Sequence, residues 1–311
     1  MPCVLHLGSV VAIDVVEVRE VGPRDGLQGQ PAPGAPVRVR VELIQRLAAS
    51  GIRRIEVGSF VSERAVPQMA GSAAVVERVL GAAADIEALV VNRRGADAAV
   101  ASGCSGLVWA VAATDSFSLR NVRATREEAL LGAEGIVESA RVGSVTPIAN
   151  IAASFGCPDD GRVPPGVVAD LAARLVEAGF QEVFLSDTIG VAGPRDISAV
   201  VNAVRSAVPI DAIGLHLHDT HGLGLVNAAA GLEAGIRRFD ASIGGIGGCP
   251  FAPGASGNVA TEDLVHLLAQ LGMQTSISLD ELAATARWLG EVLDVELPGH
   301  FARARRWIGA A

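Results

Sequence analysis

Short runs rich in valine, isoleucine and leucine alternate along this chain with longer stretches whose apolar residues recur every three or four positions. The short runs predict strands at 14–21, 52–57, 86–91, 106–111, 147–153, 181–186, 213–218 and 238–243. The longer stretches carry the period of an amphipathic helix and predict helices at 36–50, 62–81, 94–102, 125–141, 165–178, 194–207, 222–234 and 260–271. Four of them are followed by a glycine (Gly51, Gly103, Gly179, Gly235), the residue that most readily takes the left-handed conformation closing a helix.

Eight strands, each followed by a helix, form the pattern of an α/β chain closed into a (β/α)8 TIM barrel. A doubly wound open sheet is the competing arrangement. It wants a glycine-rich phosphate loop after the first strand, and GPRDGLQG at 22–29 lacks that spacing. A ninth helix at about 278–292 follows, then a short polar tail. No linker, repeat or low-complexity segment interrupts the chain, so one domain is expected over 1–311. The barrel occupies about 14–275 and a C-terminal helical extension about 276–311.

Composition narrows the chemistry. Half of the 311 residues are hydrophobic, enough for a substantial core. A formal charge of −9 without any basic stripe excludes a nucleic-acid partner. No apolar run is long enough for a membrane span, and the start of the chain has no basic signal-peptide region, so a cytoplasmic location is expected. The four cysteines are scattered without paired spacing, as in a reducing compartment. All 25 basic residues are arginine. A lysine-free chain cannot form a Schiff base with a carbonyl substrate, so any carbon–carbon bond chemistry needs a metal or another electrophile.

In such a barrel the active site forms at the C-terminal ends of the strands. The polar residues falling there are Arg24 and Asp25 after the first strand, Glu56 on the second, Asn92 after the third, and Asp187 and Thr188 after the sixth. The seventh strand carries His216, His218 and Asp219 within GLHLHDTHG, and the glycine-rich loop after the eighth holds Cys249 and Asn258. His216 and His218, two apart on a strand, point to the same side. Satisfied core histidines are one reading of that pair. With Asp25 and the Asn258 amide oxygen arriving from other strands, a mixed nitrogen and oxygen site for Mg²⁺ or Mn²⁺ is the other, with Zn²⁺ less suited for want of clustered thiolates. His221 lies further out, at the entrance. Cys249, in a loop expected to act as a lid, is a candidate for proton transfer; Cys157 is a weaker one, and Cys3 and Cys104 are read as structural.

VGPRDGLQ (21–28), IEVGSFVS (55–62), PQMA (67–70), SDTIGV (186–191), HLHDTHG (216–222) and GGCPFAPGASGNVATEDLV (247–265) together resemble the 3-hydroxy-3-methylglutaryl-CoA lyase family. The resemblance runs from about residue 14 to about 292, within a wider group of barrel metalloenzymes that includes isopropylmalate and homocitrate synthases. It implies a Mg²⁺- or Mn²⁺-dependent lyase that takes a CoA thioester and works as a homodimer or other homo-oligomer. Asp25, His216, His218 and Asn258 match the metal ligands, and Arg24 the residue that stabilises the enolate. Cys249 matches the loop thiol that protonates the enolate. Glu56 and Asp187 match the acids that support Arg24, the ligands and proton removal from the substrate hydroxyl. His216 is the ligand expected to double in proton transfer, and Gln28, Asn92, Arg94 and Asn121 match the substrate- and CoA-binding positions.

The sequence departs from the family pattern at CPDDG (157–161), SLRNVR (118–123) and VVNRRG (90–95), all away from the metal core; Arg93, Arg94 and Arg120 in these stretches are candidates for CoA phosphates. The expected reaction is cleavage of HMG-CoA to acetoacetate and acetyl-CoA. Alternatives are a lyase for a related substrate such as citramalyl-CoA, a Claisen-type synthase, and a barrel used only for binding.

Overall fold

The computed structural model describes residues 15–82, 85–248 and 257–304. Its barrel strands are β1 (Glu17–Glu20), β2 (Arg54–Phe60), β3 (Asp85–Val90), β4 (Gly106–Ala112), β5 (Thr146–Ala152), β6 (Glu182–Asp187), β7 (Ile213–Leu217) and β8 (Arg238–Ala241). Each pairs in parallel with its sequence neighbours, and β8 returns to pair with β1, which closes the barrel. The helices are α1 (Val37–Ala49), α2 (Ser72–Val79), α3 (Arg93–Ser102), α4 (Asp115–Val122), α5 (Arg126–Leu130), α6 (Ala133–Gly143), α7 (Pro165–Ala178), α8 (Pro194–Val204), α9 (Gly224–Glu233), α10 (Thr261–Gln270) and α11 (Leu279–Leu293). This is the expected TIM barrel with its extra C-terminal helix.

The four glycines expected to close helices all take positive φ, from 96° to 110°. Two helix expectations need correction. The stretch 62–81 is helical only from Ser72, because Pro67 opens a separate 3₁₀ turn and Gly71 takes φ 74° directly before α2. The stretch 125–141 is two helices, broken between Leu131 and Gly132, and α4 before it was not expected at all.

Aliphatic side chains fill the space between barrel and helices, as the sequence pattern requires. The lumen is different. Val108, Ile148 and Phe184 form one small apolar cluster there. Much of what surrounds it is charged or polar and buried, including Arg19, Glu87, Asn150, Ser186, His216 and Asp240. Gly214 makes room for the lumen's largest ring: a Cβ built on it would lie 2.4 Å from Phe184. Gly214→Ala is therefore expected to destabilise the fold by about 1–3 kcal/mol through overpacking. A midpoint of urea unfolding equal to the parent's would contradict this.

After α10 the chain leaves the barrel. Helix α11 lies against α1, with the Arg46 guanidinium 4.5 Å from the centre of the Trp288 ring. The segment that follows is pinned by Asp263, whose carboxylate accepts from the backbone N–H groups of His300 (2.8 Å) and Phe301 (2.6 Å).

Candidate active site

The site begins where β1 ends. Residues Gly22–Gly26 form one wide π-helical turn in which the amides of Arg24, Asp25 and Gly26 all point to the Val21 carbonyl. This turn folds Arg24 and Asp25 back over the barrel mouth. It fits because Gly26 has no side chain: a Cβ there would stand 2.6 Å from Ile246 and 2.8 Å from the Ser242 hydroxyl. Glu20, fully buried, ties the turn down by accepting from the amides of Gly22 and Ile243 and from the Thr261 hydroxyl. Burial pushes its carboxyl up to about 7 in spite of these donors.

Opposite this turn, His216 on β7 and His218 directly after it face the lumen, both buried. Their Nε2 atoms face each other at 3.3 Å, and Asp25 Oδ2 lies 4.0 Å from His216 Nε2. One donor atom from each of Asp25, His216 and His218 falls within 4.8 Å of the others. His216 Nδ1 donates to Asp240 Oδ2 at 3.0 Å, which fixes the tautomer and leaves Nε2 to the cluster. Asn258 arrives from the other end of the chain and donates through Nδ2 to Asp25 Oδ2 (2.8 Å) and to the Ile246 carbonyl (3.3 Å). Its amide nitrogen, rather than the expected oxygen, is thus turned toward Asp25. Two ring nitrogens and a carboxylate oxygen converging in a largely buried cluster suit a divalent cation of the Mg²⁺ or Mn²⁺ type, so the residues present fit the metal expected from the sequence.

The charges are mutually dependent. Burial works against the Asp25 carboxylate, but Arg24, both histidines and the Asn258 amide outweigh it and hold Asp25 well below the usual carboxylate range. Burial likewise disfavours a charged His216, yet the hydrogen bond to Asp240 and the charges of Asp240 and Asp25 leave it above the ordinary histidine value. His218 is pushed down to about 4 by burial and by His216. Of the metal-free pair, His216 is therefore the one that takes up a proton first as the pH falls. A cation must displace it, so Mn²⁺ affinity should fall by about tenfold per pH unit below the His216 pKa. Calorimetric titration in two buffers of different ionisation enthalpy should also register proton release that grows as the pH falls. Affinity independent of pH between 5 and 8 would refute this assignment.

Arg24 stands next to the cluster. Its guanidinium donates to Asp25 Oδ1 at 2.6 Å and ion-pairs with Glu56 Oε2 at 2.7 Å, and Glu56 is fully buried. Asp187, at the end of β6, spends both carboxylate oxygens on the backbone amides of Val191 and Ala192. Burial pushes it up to about 6. These two bonds shape the loop after β6 and leave lone pairs on both oxygens free to accept further donors.

The structure thus brings Arg24, Asp25, Glu56, His216, His218 and Asn258 together. Gln28 is half-buried one turn beyond Asp25. Asn92, Arg94 and Asn121 are exposed, and Asn92 uses its side chain to cap α3 at the Gly95 amide. His221 is exposed in the turn before α9. Cys249 lies outside the described residues. Cys157 is buried 3.3 Å from the Ser116 hydroxyl, away from the cluster. Asp240, the partner of His216, was missed in the sequence. The signal was there, since an aspartate in the middle of the apolar strand RFDA has few reasons to be buried except a partner.

The model of the HMGL-like family matches residues 15–289. The chain belongs to that family. An (R)-citramalyl-CoA lyase from Chloroflexus aurantiacus is 42% identical over 303 residues, covering 94% of this chain and 95% of the relative. A hydroxymethylglutaryl-CoA lyase from Pseudomonas mevalonii is 42% identical over 272 residues, covering 87% of this chain and 90% of the relative. Among solved structures, an HMG-CoA lyase from Acinetobacter baumannii in complex with coenzyme A and 3-methylmalate superimposes with a TM-score of 0.90 at 36% identity, covering 97% of this chain and 99% of the other. The HMGL-like match ends at residue 289, so the segment pinned by Asp263 lies beyond it.

Proposed function

We propose that this HMGL-like protein is a divalent-metal-dependent lyase that cleaves (S)-3-hydroxy-3-methylglutaryl-CoA to acetoacetate and acetyl-CoA. The observation that carries the reading is the placement of the Asp25–His216–His218 cluster directly beside the Arg24 guanidinium at the barrel mouth. Asp25, His216 and His218 would hold the cation, with Asn258 beside them. When bound, a Mg²⁺ or Mn²⁺ ion supplies a Lewis acid that binds substrate oxygens and acidifies the C3 hydroxyl.

The chain's own groups do the rest. The hydroxyl proton passes to the surrounding carboxylates. Of these, Asp25 is held well below the usual carboxylate range and is a poor acceptor, whereas burial pushes Asp187 at the end of β6 up to about 6, which favours Asp187. The C2–C3 bond then breaks, C3 becomes the ketone of acetoacetate, and the electron pair moves onto the thioester carbonyl to give the enolate of acetyl-CoA. Arg24, fixed by Glu56 and Asp25, faces that developing oxyanion. A proton returned to C2, from Cys249 in the family pattern, completes acetyl-CoA. Arg93 and Arg94, exposed at the start of α3, and Arg120 on α4 are the cations nearest in sequence to the rim positions assigned to the CoA phosphates.

The second reading is cleavage of citramalyl-CoA to pyruvate and acetyl-CoA, favoured by the 42% identity to the Chloroflexus enzyme. The two substrates differ by one methylene between C3 and the terminal carboxylate. A pocket distinguishes such a pair by only about 10–200-fold. The purified protein, incubated with each thioester and Mg²⁺ or with EDTA, should release acetoacetate from HMG-CoA in the presence of metal alone. Pyruvate from citramalyl-CoA at a higher kcat/KM would move the assignment to the second substrate. Loss of neither thioester would refute the lyase reading.

A further inference from the structure

Beneath the metal cluster the lumen holds a chain of ion pairs that the proposed reaction does not use. Arg19 is buried, 1% accessible, with its guanidinium 3.9 Å from the centre of the Phe184 ring. Nε donates to Asp240 Oδ1 at 2.7 Å and Nη2 to Asp240 Oδ2 at 2.8 Å, a two-point hold that sets the plane of the carboxylate. Nη1 donates to Glu87 Oε2 at 3.2 Å. Glu87 Oε1 in turn accepts from Arg54 Nε at 2.6 Å, and Arg54 is anchored by Glu17 and Glu182 at the opposite end of the barrel. Strand register places the essential three side by side. Arg19 on β1 is the partner of Asp240 on β8, and Asp240 is the partner of His216 on β7.

We infer that Arg19 is a positioning residue for the metal centre. Asp240 Oδ2 is shared between Arg19 Nη2 and His216 Nδ1. A carboxylate held at both oxygens from one side has one orientation in which Oδ2 still meets an imidazole N–H. His216 is then turned so that Nε2 faces His218 and Asp25. Arginine is needed because only a planar guanidinium meets both oxygens and still spares a third nitrogen, here for Glu87; a lysine ammonium offers one charged point without that plane. Glu87 and Arg54 keep the guanidinium from rotating out of register. The orientation of a ligand at the mouth is thus fixed from the opposite end of the barrel through four side chains.

The inference rests on the cluster being a metal site, and the experiment separates the two. Mn²⁺ affinity is measured by calorimetry on the parent enzyme and on Arg19→Lys, Arg19→Met, Asp240→Asn and the double variant Arg19→Met/Asp240→Asn, with folding checked by thermal melting in EDTA. Arg19→Met should weaken Mn²⁺ by about 10–100-fold, the size expected for an outer-shell partner. Arg19→Lys should weaken it less, and the double variant should bind no more weakly than Asp240→Asn alone, since Arg19 acts through Asp240. The kcat at saturating Mn²⁺ should change less than the affinity. Should Arg19→Met not fold, Arg19→Lys decides. Affinity within twofold of the parent in a folded Arg19 variant, or losses that add in the double variant, would overturn the role of Arg19 while leaving the metal site intact. A parent enzyme that binds no Mn²⁺ would overturn the metal reading and this inference with it.

Discussion

Arg24→Met should leave an enzyme that still binds Mn²⁺ but turns over HMG-CoA about 10²–10³-fold more slowly, the range seen when one preorganised oxyanion donor is removed. The loss should fall on kcat, because negative charge on the thioester oxygen develops only as the carbon–carbon bond breaks. The substitution also orphans Glu56, whose carboxylate is wholly buried and whose only ion-pair partner among the described residues is Arg24. Breaking a buried pair from one side costs about 3–5 kcal/mol, so Arg24→Met should melt well below the parent. The two effects can be separated with Arg24→Met/Glu56→Gln, which neutralises the stranded acid. Stability should largely return in that variant, and turnover should not. Recovery of turnover together with stability would reduce Arg24 to a scaffold residue.

Asp25→Asn is the second large expected effect. It keeps the shape of the side chain and removes the one formal negative charge of the three-residue cluster. Outer partners of metal ligands are worth about 10–100-fold in affinity, and a charged ligand itself should exceed that, so Mn²⁺ binding should weaken by more than about a hundredfold. Activity should vanish in step. Added Mn²⁺ should restore it only in part, because the charge that holds the Arg24 guanidinium in place is also gone. Calorimetry and turnover on the same preparation check both halves. Parent-like affinity in Asp25→Asn would remove Asp25 from the ligand set.

Much of this arrangement was legible in the sequence, for identifiable reasons. The barrel strands are buried on both faces and read as apolar runs, and the helices carry a clean three-to-four-residue period, so element order and closure followed directly. His216 and His218 were legible because a two-residue spacing on a strand has one structural meaning. What could not be read were contacts between strands far apart in sequence. Arg19 and Asp240, 221 residues apart, and Arg54 and Glu182, 128 apart, look like ordinary surface charges until the barrel closes around them. The π-turn at 22–26 was equally hidden, since GPRDG carries no pattern that distinguishes a wide turn from a loop. Asn92 and Asn121 rested on the family resemblance and not on any contact legible in the sequence. The structure puts both on the exposed rim, where only a bound CoA can show their use.

The hydrogen bond between Asp25 and Asn258 joins residues 233 positions apart across the seam where β8 meets β1. A growing polypeptide has Asp25 early and lacks Asn258 until most of the chain has been synthesised. The cation's nest therefore cannot exist on a nascent chain or on either half of the protein. Under the metal assignment proposed above, the site is complete only once the barrel has closed. On the proposed assignment a cation would clasp the seam, so chelation should first raise amide exchange in β1, in the 22–26 turn and in the residues around 258, before the far side of the barrel responds.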